Sequence, residues 1–393
     1  MPHRITEAKL TFFNLPLRQP EYWAWGRRDI YTIGLVELLT ESGLKGYGEV
    51  NLAMGPNDRV IRAIFEQMTP FYIGESPSDC NLAAARIRGT GWYSYQRTAG
   101  LVISGLEMAC WDLIGKIAGL PICDLLGGPV RQDFASMYFV PGSDNVEEMV
   151  ELAADGCKRG FNTIYYKVGA DEERDTALVI KTRERIGSAP RLRIDANESW
   201  TAGTAVRILR NMARARLEYI EQPTLMHDID GLKHVRDASG VQVAANQASW
   251  GSYAILDIVR RGAADVIMTD MQQEGGVWAL KRILGICEAA AMPFVLHAFS
   301  CSSFFIKAQL HIASTSPMCF LAQQGHPDYF SDDYIVSPLT YENGRIAFDR
   351  KPGWGVEVDD AKVAKFHRKY LEEGSATSYT NSRQHQVVTV PAR

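Results

Sequence analysis

Short β-rich runs recur through the middle of this chain at a nearly constant interval. They read SMYFV, TIYYKV, RLRID, LEYIE, VQVAAN, DVIMTD, FVLHA and CFLAQ, with helical stretches such as 174–187, 201–216 and 275–291 between them. The expected strand ends fall at Val140, Lys167, Asp195, Glu221, Asn246, Asp270, His297 and about Ala322, each 24–28 residues after the last. Eight strands alternating with helices at a fixed period describe a parallel β/α barrel, so the chain is α/β with a TIM-type core over residues 131–335.

The flanks differ from this repeat. Residues 1–130 open with apolar runs at 7–15 and 30–39; the second breaks at Glu41-Ser-Gly and resumes at 44–50, a hairpin signal. Helical patterning follows at 57–71 and 98–119, where Leu101, Ile103, Leu106, Cys110, Leu113 and Ile117 fall at helical spacing. Strands first and helices afterwards predict a small α+β module. Residues 336–393 bring a short strand pair near 339–348 and a helix over 362–371, both expected to return to the N-terminal module, and then a polar tail.

Bulk properties exclude several classes. A net charge of −4 and a pI near 6.1 provide no basic surface for nucleic acid. No run of apolar residues is long enough for a membrane span, and the start of the chain lacks a signal-peptide core, so a cytoplasmic protein is expected. Seven scattered cysteines without metal-ligand spacing read as free thiols.

In a β/α barrel the chemistry sits where the strands end. Six consecutive strands here end in an ionisable or amide group: Lys167, Asp195, Glu221, Asn246, Asp270 and His297. One such residue can be a helix cap; six at one register predict a site. Asp195 and Glu221 project side by side, and two carboxylates so placed call for a hard divalent cation, Mg²⁺ for oxygen-only ligands. A salt bridge from one of them to Lys167 is the structural alternative.

The run SGLEMACWDLIGKIAGLPICDLLGGPVR (104–131), with KVG (167–169), DAN (195–197), EQP (221–223), Asp270 followed by Gly275-Gly276, and LHAF (296–299), resembles the mandelate racemase-like branch of the enolase superfamily. The resemblance covers about residues 5–370. It implies a modified barrel under an N-terminal capping domain that C-terminal residues complete, bound Mg²⁺, and abstraction of the proton α to a carboxylate. It also implies a symmetric homo-oligomer. Carried over by position, Asp195 and Glu221 match the first two metal ligands and Lys167 a base on one face of the substrate. His297 and Asp270 match the dyad serving the other face.

Two positions depart from that pattern. Tyr165 stands where the branch has the first lysine of a Lys-x-Lys motif, and Asn246, followed by Gln247, stands where it has an acidic third ligand. Strand eight has Ala322 and Gln323 in place of a glutamate. Substrate contacts are expected from Tyr165, Asn197, Gln247 and Gln323, and from Trp23 and Arg27 in a lid at 23–28, with 92–95 (WYSY) as a second candidate lid. The leading expectation is a sugar-acid dehydratase, a lyase acting on a small carboxylate. A racemase or epimerase of an α-hydroxy acid, or a cycloisomerase, would use the same groups. A non-catalytic binding barrel is the remaining alternative.

Overall fold

The computed structural model describes residues 3–376 except 25, 53–56, 144, 299–301 and 327, and except the side chains of 26–28, 92 and 93. The chain starts with an antiparallel meander of β1 (Ile5–Trp23), β2 (Gly26–Thr40) and β3 (Lys45–Asn51). Gly43, at φ +80°, makes the β2–β3 turn that Glu-Ser-Gly predicts. Helices α1 (Asp58–Met68), α2 (Cys80–Arg88) and α3 (Gln96–Ala118) follow. The long helix α3 lies directly on β3: a Cβ on Gly48 would come within 2.0 Å of Gly105 O, so only glycine permits this approach. On its other side Glu107 of α3 accepts from Trp278 N (2.9 Å), and Asn51 N donates to Gln272 Oε1 (2.7 Å), which seats the module on the barrel.

A short helix α4 (Ile122–Leu125) leads to β4 (Asp133–Ala135) and the barrel. Its strands are β5 (Tyr138–Phe139), β6 (Thr163–Lys167), β7 (Arg191–Asp195), β8 (Tyr219–Glu221), β9 (Val243–Ala245), β10 (Val266–Thr269) and β11 (Phe294–Leu296). They form one parallel sheet in chain order. The helices between them are α5 (Val146–Lys158), α6 (Glu172–Ile186), α7 (Ala202–Asn211), α8 (Ile229–Ser239), α9 (Ser252–Arg261), α10 (Met271–Glu274) and α11 (Val277–Ala289); α12 (Ser303–Ala313) follows the last strand.

The expected eighth strand is reduced to a seam. Gln323 makes a parallel bridge to Ser136 (Met137 N to Gln323 O, 3.1 Å; Gln323 N to Ala135 O, 2.8 Å), and Gln324 N reaches Leu296 O (3.3 Å). The physical reason lies in competing donors: Arg131 Nη1 takes Cys319 O (2.5 Å) and Gln323 Nε2 takes Leu321 O (2.7 Å), so these carbonyls are lost to a strand ladder.

The C-terminal segment divides. β12 (Arg345–Ala347) pairs antiparallel with β4 beside the barrel, where a strand pair returning to the N-terminal sheet was expected. Helix α13 (Asp360–Glu373) does return: His367 Nδ1 contacts Phe12 O (2.6 Å), and the Tyr370 ring lies 5.7 Å from that of Phe12. The fold is the modified barrel with an α+β cap completed by C-terminal residues. Six cysteines are free thiols, Cys301 lying outside the described residues, and no described helix is long and apolar enough to cross a membrane.

Candidate active site

The barrel interior fixes the register of the site. Met137, Tyr165, Tyr219, Ala244, Met268, Val295 and Ala322 pack into one buried cluster, and Arg193 fills the remaining strand with its guanidinium 4.5 Å over the Tyr219 ring. Arg193 is fully buried and is neutralised by Glu218 (2.5 Å) and Ala322 O (2.7 Å). Side chains on a strand repeat every second residue. Two positions beyond this layer therefore stand Phe139, Lys167, Asp195, Glu221, Asn246, Asp270, His297 and Gln324. All the expected strand-end residues fall in this upper layer except Val140 and Ala322, which are displaced by one and two positions.

Lys167, Asp195 and Glu221 are direct neighbours in the strand register. Lys167 Nζ donates to Asp195 Oδ2 (2.5 Å), and the Tyr165 hydroxyl lies 2.8 Å from the same oxygen and 2.9 Å from Glu221 Oε2. Both carboxylates are fully buried. Burial and the Asp195 charge push the Glu221 carboxyl well above its usual range. Burial works against the Lys167 ammonium, but Asp195, Glu221 and Glu21 outweigh it and hold it above its ordinary value. Burial and the same two carboxylates raise Tyr165, so it stays a neutral phenol.

The residues fit a divalent cation. Glu221 Oε1 is buried and has no hydrogen-bond partner among the described residues, an expense that a metal–oxygen bond would remove. Asn246 contributes no charge, but its Nδ2 is directed to Met268 O (3.5 Å), which leaves Oδ1 as the atom available to a cation. No group of three His, Cys, Asp or Glu side chains that could hold a metal ion occurs among the described residues.

The backbone around these ligands is strained and braced. Asn197 (φ 45°), Glu198 (φ 66°) and Gln222 (φ 34°) are non-glycine residues in the left-handed region, a cost that surrounding bonds must offset. Asn197 N donates to Asp195 Oδ1 (2.7 Å) and Glu198 N to Gln222 O (2.8 Å). Gln222 Oε1 accepts from Asn246 N (3.0 Å) and Ala248 N (3.1 Å), tying the end of β9 to that of β8.

On the opposite arc His297 Nδ1 lies 2.9 Å from Asp270 Oδ2. A carboxylate only accepts, so Nδ1 carries the proton in this contact. Asp270 is fixed by its other oxygen, which caps α10 through Gln273 N (2.8 Å). Gln309 Nε2 holds His297 O (3.0 Å).

Lys167 and His297 line one cleft with Tyr165, Gln324, His326 and Glu21. Glu21 comes from the β1–β2 hairpin. A register shift between Pro16 and Glu21 frees residues 17 and 18 from β2, and they pair instead with the loop after the barrel seam (Arg18 N to Tyr329 O, 3.0 Å; Ser331 N to Pro16 O, 3.0 Å). The hairpin is thereby pinned across the barrel mouth. Burial lowers His326 to about 4, making it a neutral imidazole at pH 7.

The remaining predicted contacts divide. Trp23 lines a second cleft that shares Lys167, and Gln247 holds a buried amide oxygen without a partner among the described residues. Gln323 is a correction: Leu296 N donates to its Oε1 (2.7 Å) and its amide donates to Leu321 O, so it braces the barrel wall and Gln324 lines the cleft in its place. The Arg27 side chain lies outside the described residues, as do those of Trp92 and Tyr93; Tyr95 donates to Gln67 (3.2 Å). Glu21, Gln324 and His326 were missed. Period-two counting from Ala322 gives Gln324, whereas the hairpin and the seam loop carry no periodic signal.

Residues 5–127 match the mandelate racemase / muconate lactonizing enzyme N-terminal domain, and residues 148–362 match the enolase C-terminal domain-like family. The chain belongs to the mandelate racemase and muconate lactonizing enzyme family of the enolase superfamily. It is 25% identical to an N-succinyl-L-Arg/Lys racemase from Bacillus cereus over 91% of this chain and 96% of the relative. It is also 25% identical to an arabinonate dehydratase from Saccharolobus solfataricus, over 85% of this chain and 90% of the relative. A dipeptide epimerase from Enterococcus faecalis, solved with Mg and the dipeptide L-Leu-L-Tyr, superposes with a TM-score of 0.83 at 26% identity, covering 90% of this chain and 99% of that one. Relatives at this level of identity are dehydratases, racemases, epimerases and cycloisomerases, so the family includes lyases and isomerases alike.

Proposed function

We propose that the protein is an Mg²⁺-dependent sugar-acid dehydratase. The observation that carries this reading is the shared cleft: Lys167 and His297, the latter held by Asp270, both line it, and Lys167 binds Asp195 of the carboxylate pair Asp195 and Glu221. Lys167, His297 and Asp270 are the acid–base residues in this reading, and Asp195, Glu221 and Asn246 hold the cation. Bound there, Mg²⁺ would supply positive charge that offsets the hold of the carboxylates on the Lys167 ammonium and stabilises an enediolate.

Lys167, once neutral, accepts the proton α to the substrate carboxylate through Nζ. The electron pair moves into the carboxylate to give the enediolate, then returns to form the C2–C3 double bond as the β-hydroxyl leaves. His297 enters this step as the imidazolium, protonated at both nitrogens and stabilised by Asp270. It donates the Nε2 proton to that hydroxyl, which departs as water and leaves the imidazole neutral with its proton on Nδ1. The enol product tautomerises to a 2-keto-3-deoxy acid. The Tyr165 hydroxyl serves the carboxylates, while Trp23, Asn197 and Gln247, with Glu21, Gln324 and His326, surround the rest of the substrate. A homo-oligomer acting on a small carboxylate remains part of the proposal.

Racemisation of an α-hydroxy acid is the second reading. The observation that favours it is the same pair of proton-transfer groups on one cleft, since a proton taken at one can be returned at the other. A sugar-acid library with Mg²⁺ and a carbonyl reagent separates the two, because only dehydration yields a 2-keto acid. Lys167→Ala and His297→Asn are expected to lower turnover by roughly 10²–10⁴-fold. Full activity in both variants would overturn the assignment.

A further inference from the structure

The catalytic cleft shares one described residue, Lys167, with a second, open cleft. Tyr22 and Trp23 of the β1–β2 hairpin, Val140 and Met149 give it apolar walls, and its polar end is formed by Ser143, Arg174 and Asp175. Arg174 is held in place. Its Nη2 donates to Ser143 O and lies 3.4 Å from Met149 Sδ, while Nη1 reaches Asp175 Oδ1 at 3.3 Å. Asp175 also lines the cleft, but it is fully buried and both its oxygens are engaged, one by Arg174 and the other by Gly169 N (2.7 Å), which ties this carboxylate to the loop after β6. Nearby Glu172 is paired with Arg207. The Arg174 side chain stays 29% exposed, and Nε makes no hydrogen bond among the described residues.

An oriented guanidinium at the end of an apolar-walled cleft matches a carboxylate carried on a carbon stem: the stem is buried, and the planar fork recognises the two oxygens. We propose that this cleft is the subsite for the far end of the substrate and that Arg174 selects acids bearing a second carboxylate. The inference rests on the reading that Lys167 flanks the reacting α-carbon, since Lys167 is the wall the two clefts share.

Calorimetry on the Mg²⁺-loaded protein tests it without turnover, using glutarate and adipate against valerate and hexanoate. The wild type is expected to prefer each diacid over its monoacid by roughly tenfold or more, the worth of one charge-assisted pair. Arg174→Met should reduce that preference to about twofold or less, while Arg174→Lys, which keeps a cation, should retain part of it. Thermal unfolding of both variants reports whether the loop still folds. Equal or undetectable binding of the two acids by the wild type, or a preference that survives in Arg174→Met, overturns the proposal. A sugar-acid screen without 2-keto product would overturn the dehydratase reading and leave this binding comparison standing.

Discussion

Tyr165→Phe removes one hydroxyl from the centre of the site and nothing else, because phenylalanine fills the same volume among Phe139, Tyr219 and their neighbours. Asp195 Oδ2 keeps Lys167 at 2.5 Å. Glu221 loses its tyrosine donor, and its other oxygen already has no partner among the described residues. Leaving a buried polar group without its hydrogen bond costs about 1–3 kcal/mol. In EDTA the variant should therefore be less stable than the wild type by about that amount in chemical denaturation. In saturating Mg²⁺ the carboxylates are held by the cation and the difference should shrink toward zero. By linkage the variant must then bind Mg²⁺ more tightly, by about 5- to 150-fold. Equal stability of the two proteins in EDTA, or an equal deficit with and without Mg²⁺, would refute the reasoning.

Other perturbations test separate parts of the account. Asn246→Asp restores a third negative ligand and should tighten Mg²⁺ binding by on the order of tenfold while lowering stability in EDTA, both measurable by metal titration and denaturation. Asp270→Asn still caps α10 but no longer supports a charged imidazole, so kcat should fall roughly 10- to 100-fold with little change in KM. Glu49 is fully buried between the cap and the barrel, with Ser302 and Tyr334 donating to Oε2 and nothing described donating to Oε1. Burial raises its carboxyl to about 7. A raised carboxyl favours the folded state most below its unfolded value, and this contribution is lost as pH rises toward 7. Glu49→Gln should flatten the fall in stability between about pH 4.5 and 7, by up to about 3 kcal/mol.

The barrel was legible because its period fixes strand ends, and because strand ends are where barrel chemistry gathers. Lys167, Asp195, Glu221, Asn246, Asp270 and His297 all occupy that layer. The eighth strand was misplaced for a local reason: Arg131 and Gln323 side chains take carbonyls that a ladder would use, and an apolar run does not announce such competition. The Tyr165 substitution was visible, but the contact of its hydroxyl with both carboxylates depends on three strands meeting. Glu21, His326 and Arg174 were not legible. They come from a hairpin, a seam loop and the first turn of a helix, and only the register shift in β1 brings the hairpin over the barrel mouth. The bracing glutamines, Gln222, Gln309, Gln323 and Gln324, are silent in sequence because an amide serves a backbone or a substrate equally well.

In the proposed reaction Lys167 and His297 move protons at a carbon held beside the Asp195–Glu221 pair. Exchange of the substrate α-proton in D₂O, followed by NMR on whichever sugar acid the wild type turns over, measures that step apart from product release. The wild type is expected to exchange the proton with Mg²⁺ present and to lose this activity in EDTA, and Lys167→Ala is expected to lack it in Mg²⁺. Exchange at the wild-type rate in Lys167→Ala and in His297→Asn, or undiminished in EDTA, would contradict these roles.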